Sequence, residues 1–457
     1  MTLVDHVETE LGFLAEANAR TAVLYPGERS TRQPVHTVYG GAQLYRAETT
    51  QRLGESARRA MATYARDPAE FARGVGLAVP AGISREWLEG TLYERVRRKL
   101  ETEAVEDFRI DFEDGFGARP DAEEDEHAVR AARELARAVS ENRAPPFVGI
   151  RIKSLGEEWK ARALRTLELF LGTLLEATGG ALPEHFVVTL PKVTVAEQPR
   201  LLVRSFQVLE RRHRLPPGSL RAELMVETTQ SLVGPDGRLA LPELVRACDG
   251  RCMGAHLGTY DFTAACNVTA AYQSMLHPMC DLAKGLMVLS LAGTGVFLSD
   301  GATHVMPVGP HRGEDLTPQQ IEENRAGVLA AWQLSYRSVR HSLEGGFYQG
   351  WDLHPAQLPV RYAACFAFFL EGLGAAAERL RHFLDKLAQA TLVGDVFDDA
   401  ATGQGLLNYF IRARNAGAIG AGEIAQTGLT LEEFGLRSFA KILEARRRRL
   451  AGGPGEP

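Results

Sequence analysis

Short apolar runs bounded by turn residues alternate along this chain with longer segments whose apolar positions recur every three to four residues. That alternation predicts strands and helices in turn, the pattern of a parallel α/β fold. The runs expected as strands are Thr21–Tyr25, Val35–Tyr39, Val75–Val79, Asp107–Phe112, Phe147–Ile152, Phe186–Leu190, Glu223–Val226, Met253–Leu257, either Val296–Leu298 or Thr303–Val308, and Phe347–Leu353. Helical periodicity runs through Ala122–Ser140, Trp159–Ala177, Val195–Arg212, Ser274–Leu291 and Pro318–Leu343, with Leu241–Cys248 as a short crossover. Beyond Pro355 the pattern is helical only: Gln357–Leu392, an acidic turn at Gly394–Asp399, then Thr402–Ala416. The expected architecture is a (β/α)8 TIM barrel over 21–356, with an N-terminal helical extension at 1–20. A C-terminal helical lid is expected at 357–416, and a last helix with a disordered tail at 417–457.

Composition narrows the function classes. The chain has 457 residues, 45% apolar and 24% charged, enough to bury a large core. A net charge of −6 opposes a nucleic-acid binder that must neutralise phosphates. No run approaches about 18 uninterrupted apolar residues, and Met1–His6 does not open a secretory leader, so a cytoplasmic protein with no membrane partner is expected. Cys248, Cys252, Cys266, Cys280 and Cys365 form neither a disulfide framework nor a zinc spacing, and are expected as reduced thiols.

Candidate chemistry gathers where strands end. Glu227 follows the run ending at Val226, and Asp261 follows the run ending at Leu257. Two carboxylates at the ends of neighbouring parallel strands suit one Mg²⁺, which takes few protein oxygens and leaves its other positions to water and substrate. Capping or simple solvation is the alternative. Asp111-Phe112-Glu113-Asp114-Gly115 concentrates three carboxylates that repel one another unless a cation or donors compensate; the alternative is a solvated turn. Alternation in Phe147–Lys153 separates Arg151 from its apolar neighbours. Its guanidinium would hold either a substrate carboxylate or an internal partner, Glu113 or Asp114. Lys192, ending Leu190-Pro191-Lys192, fits a Schiff-base nucleophile, a phosphate partner or a supporting charge, and the paired acids favour the last of these. There is no phosphate-binding P-loop, no nucleophile elbow and no His-x₃-His zinc spacing.

Taken in order, Asp111-Phe112-Glu113-Asp114, Gly149-Ile150-Arg151-Ile152, Leu190-Pro191-Lys192, Val226-Glu227-Thr228, Gly258-Thr259-Tyr260-Asp261 and Gly350–Gln357 resemble the strand-end motifs of the citrate lyase beta subunit and hydroxy-acid aldolase superfamily. There is a further likeness to malate synthases. The resemblance implies a barrel that binds Mg²⁺, or Mn²⁺ in its place, through Glu227 and Asp261, and that makes or breaks a carbon–carbon bond in a short 2-keto or 3-hydroxy acid or its coenzyme A thioester. It implies Arg151, Lys192, Glu113 and Asp114 around the substrate and a base from the C-terminal segment, Asp399 or its neighbour Asp398. A homo-oligomer is expected, because the base of some relatives crosses a subunit interface. Three other readings stand beside this one: a malate synthase-like condensing enzyme, a phosphoenolpyruvate or pyruvate enzyme, and a catalytically silent binding barrel.

Overall fold

The computed structural model describes residues 3–27, 29, 31–313, 315–393 and 400–451. Eight strands form one sheet: β1 (His36–Gly41), β2 (Asp107–Asp111), β3 (Phe147–Arg151), β4 (Phe186–Leu190), β5 (Arg221–Val226), β6 (Cys252–Leu257), β7 (Phe297–Ser299) and β8 (Gly350–Asp352). Their order is β7-β6-β5-β4-β3-β2-β1-β8, every pairing is parallel, and a Ser299–Gln349 bridge joins the two edges into a nearly closed barrel. Helices between the strands form the outer layer, so this is an α/β (β/α)8 barrel.

The strands are legible because their outward faces are strongly apolar. Phe108, Ile110, Val148, Ile150, Val188 and Leu224 are buried against the surrounding helices. The inward positions of the same strands are mostly polar, with Thr37, Asp107, Arg109, Thr189, Glu223, His256 and Gln349 all buried in the lumen. Period-two alternation thus separates an oily wall from an ionic interior.

Two expected strands are corrected. Thr21–Tyr25 is the end of a helix, Glu8–Leu24, none of whose residues is buried. Val75–Val79 straddles the end of helix Pro68–Val75, where Gly76 at φ +75° supplies the left-handed cap. Apolar residues at a helix end mimic a short strand when periodicity is sampled over only five positions. Of the two options for the seventh strand, the chain uses the one near Val296–Leu298; 303–308 is not strand.

The C-terminal region is helical, as its periodicity predicts. Helix Leu358–Val393 begins as part of the barrel wall, packed against helices Arg85–Thr102 and Pro318–Glu344. Over Pro355–Lys386 it is long and apolar enough to cross a membrane by composition, but 67% of its most apolar window is buried inside the protein. Helix Ala400–Asn415 folds back along it, with the Tyr409 hydroxyl on the carbonyl of Phe369. It reaches the barrel where Arg412 lies 3.9 Å over the ring of Tyr348, just before β8 begins. In the described residues these C-terminal helices lie at the amino-terminal rim of the barrel.

Candidate functional site

The carboxyl-terminal rim collects the strand-end acids and two cations. The β2 turn is organised by Asp111, whose carboxylate accepts the N–H of Glu113 at 2.9 Å and of Gly115 at 2.7 Å. Arg151, at the end of neighbouring β3, donates to both Asp111 oxygens at 2.7 and 2.5 Å and faces Glu113 at 3.0 Å and Asp114 at 3.4 Å. The internal ion pair is thus the state observed for Arg151, with Tyr39 packed 5.0 Å from its guanidinium.

Lys192 follows β4 at φ +50°, a left-handed turn that is strained for a residue with a β-carbon. The turn makes both of its ends useful. Its backbone N–H donates to Glu227 at 2.6 Å, while its ammonium pairs with Glu113 and lies 3.1 Å from Asp114 and 3.6 Å from Asp261. Glu227, just past β5, is 2% exposed. It occupies space that Gly258 leaves open, since a β-carbon there would sit 2.6 Å from its Oε2. Asp261 lies in the first turn of helix Thr259–Ala265 after β6, and its carboxylate is 47% exposed.

Among the described residues, Asp111, Glu113, Asp114, Glu227 and Asp261 face the two cations Arg151 and Lys192, an excess of carboxylates over cations. Burial pushes the Glu227 carboxyl up to about 8, and Glu113 and Asp261 add to the push while Arg151 and Lys192 oppose it. Burial also raises Glu113, with Asp114 adding to the effect. Burial opposes the charged form of Lys192, yet Glu113 holds its ammonium above the ordinary lysine range. Among the described residues no three His, Cys, Asp or Glu side chains converge as a ready metal cage. Glu227 and Asp261 contribute carboxylate oxygens to this rim, Glu227 on the backbone N–H of Lys192 and Asp261 beside the Lys192 ammonium.

Beneath the rim lies a buried ionic layer not anticipated from the sequence. Arg109 pairs with Asp107 and with Glu223 at 2.7 Å, Thr189 donates to Glu223 at 3.1 Å, and His256 lies 3.4 Å from Glu223. Trp351 donates to His256 at 3.3 Å and packs on Tyr39, with ring centroids 4.5 Å apart. The signal was available: Asp107, Arg109 and Asp111 are two apart on β2, and Glu223 and Glu227 four apart, spacings that put each set on one strand face. His354 and Gln357 have a local role, capping the turn after β8 through Ala356 N–H and through the N–H groups of Leu353 and His354. Asp398 and Asp399 lie outside the described residues.

Fold and rim together define a (β/α)8 barrel with an acid-rich mouth at its strand carboxyl ends. The chain belongs to the family described as a domain of unknown function (DUF6986), whose model matches residues 14–442. A search among curated proteins finds no match. Among solved structures the chain is similar to Haloferax volcanii malate synthase. For its magnesium/glyoxylate complex the identity is 13%, coverage 72% of this chain and 74% of that one, and the TM-score 0.41. For its lead(II) complex the values are 14%, 93%, 98% and 0.43. At such identity and superposition, these likenesses carry nothing about chemistry.

Proposed function

We propose that this protein is a divalent-cation-dependent enzyme that cleaves or forms a carbon–carbon bond next to the carbonyl of a short 2-keto or 3-hydroxy acid, free or as its coenzyme A thioester. The observation that carries the reading is the unbalanced carboxylate group at the barrel mouth, with Glu227 buried and Asp261 open to solvent on the adjacent βα turn. Glu227 and Asp261 would hold Mg²⁺, or Mn²⁺, which when bound supplies Lewis-acid stabilisation of negative charge on a substrate oxygen. The chemistry of the donor set fits: both ligands are hard oxygens, and a nearby cation relieves a carboxylate that burial otherwise protonates.

The chain's own groups divide the remaining work. Arg151, fixed by Asp111 on one edge, turns its Nη1 edge toward Glu113 and Asp114 and would accept a substrate carboxylate by exchange with them. Lys192 orients Glu227 through its backbone N–H and would release its ammonium from Asp261 to the substrate. Tyr39 and Trp351 wall the lumen below and limit the depth to which a small acid descends. The proton acceptor would be Asp399 or Asp398 of a second copy of the chain, because the helices that precede and follow them in the same chain cover the amino-terminal rim. Condensation is the same step reversed and uses the same groups.

The test is Mg²⁺-dependent proton exchange, followed by deuterium uptake from D₂O into pyruvate, oxaloacetate and acetyl-CoA. Exchange into at least one compound, lost in Glu227→Gln and Asp261→Asn, is expected. No exchange into any of the three would overturn the proposal.

A further inference from the structure

The amino-terminal helix, Glu8–Leu24, stands apart from the packing that holds the barrel together. None of its 17 residues is buried, and a helix of that length without tertiary support is only marginally stable in water. Its large apolar side chains share one side. At about 100° per residue Leu11, Leu14 and Tyr25 fall on one stripe, Phe13 and Leu24 border it with Glu10 among them, and Glu8, Glu16 and Arg20 lie on the other side. The five apolar side chains are between 43% and 67% exposed.

A second apolar face adjoins the root of this helix. The N–H of Gly27 donates to the carbonyl of Gly293 at 2.8 Å, which ties the root to the end of the barrel helix Pro278–Leu291. The outer side of that helix carries Leu282, 53% exposed, Gly285 with open space above it, and Leu289, 77% exposed, at the three- and four-residue spacing of one stripe. The barrel helix Glu197–His213 shows the ordinary case, turning Arg200, Arg204 and Arg211 to water. With a large side chain taken at ~150–250 Å², the exposed parts of the apolar side chains on the two helices come to about 800 Å². That is the area one partner contributes to a stable interface, and more than a lone molecule ordinarily leaves in one apolar patch.

We infer that this face is an interface between two copies of the chain, formed by the amino-terminal helix and the outer side of helix Pro278–Leu291. A two-fold pairing uses the same patch on both partners, so the total reaches the ~1,600 Å² of a stable dimer. The amino-terminal helix offers one charge on this side, Glu10, too little to select a strongly charged partner, whereas apolar side chains meeting their own kind is the composition of a homodimer interface. The inference stands apart from the proposed reaction, since it uses none of the residues at the carboxylate mouth.

Sedimentation of the full chain in EDTA, without substrate, reads the association separately from any activity. The wild type is expected as a dimer or an even multiple of it. Leu14→Glu and Leu289→Glu each place a charge at an exposed position of the face, and each should weaken the association at least about tenfold with an unchanged far-ultraviolet circular dichroism spectrum. Val23→Glu alters an equally exposed residue on the side of Glu16 and Arg20 and should sediment as the wild type does. A monomeric wild type, wild-type association in either face variant, or an equal loss in Val23→Glu would each overturn the inference.

Discussion

Replacing Glu227 by Gln tests the electrostatics of the barrel mouth without assuming a substrate. Burial raises the Glu227 carboxyl from its ordinary 4.5 to about 8. A carboxyl whose folded-state pKa is raised binds its proton more tightly folded than unfolded. Its stabilising contribution is therefore complete below 4.5 and is lost as pH rises through 8. Between pH ~5.5 and ~7.5 that loss integrates to about 2.5 kcal/mol. A chain of 457 residues has an unfolding entropy of about 1 kcal/mol/K, so the melting temperature of the wild type should fall relative to Glu227→Gln by about 2.5 °C over this interval. The glutamine keeps an oxygen for the Lys192 N–H and carries no charge, which makes the difference between the two proteins specific to this group. The assay is a thermal melt of both proteins in EDTA across that range, repeated with saturating Mg²⁺. Bound metal should offset the wild-type loss at the alkaline end and leave the variant unchanged. A wild-type-minus-variant difference that is flat with pH would refute the assignment of a buried, proton-holding carboxyl.

Three further outcomes follow from the same geometry. Lys192→Met removes the ammonium beside Asp114 and Asp261 and should tighten Mg²⁺ binding at least about tenfold by calorimetry; unchanged affinity would mean that this ammonium does not compete with the ion. Gly258→Ala drives a β-carbon to 2.6 Å from Glu227 and should cost about 1–3 kcal/mol while weakening Mg²⁺ binding, whereas a variant normal in both would show that the carboxylate moves freely. Arg109→Leu leaves Asp107 and Glu223 buried without their shared cation, and denaturant unfolding should register a loss of about 3–5 kcal/mol; a loss below about 1 kcal/mol would remove the lumen cluster from the interactions that hold the barrel.

How much of this was legible depended on whether a feature is local. Runs such as Phe108–Phe112 and Phe186–Leu190 announce strands because one face must be apolar against helices whatever the lumen contains. The rim position of Glu227 and Asp261 followed from the same logic, since Glu227 comes directly after β5 and Asp261 lies in the first turn of the helix that follows β6. Contacts across the barrel were not legible, because Arg151 with Asp111 and the Lys192 N–H with Glu227 depend on which strands are neighbours and at what register. The C-terminal helices show a second limit: amphipathic periodicity marks an apolar face to be covered, but not which end of a barrel will cover it. Gly76 shows a third, since a left-handed helix cap inside an apolar pentad reads as a strand with a flexible residue.

The buried Asp107–Arg109–Glu223 layer spans the lumen below the carboxylate mouth. With its charges paired and its centre filled by side chains, it makes the barrel a cup with a floor, so that whatever enters at the mouth leaves by the same opening.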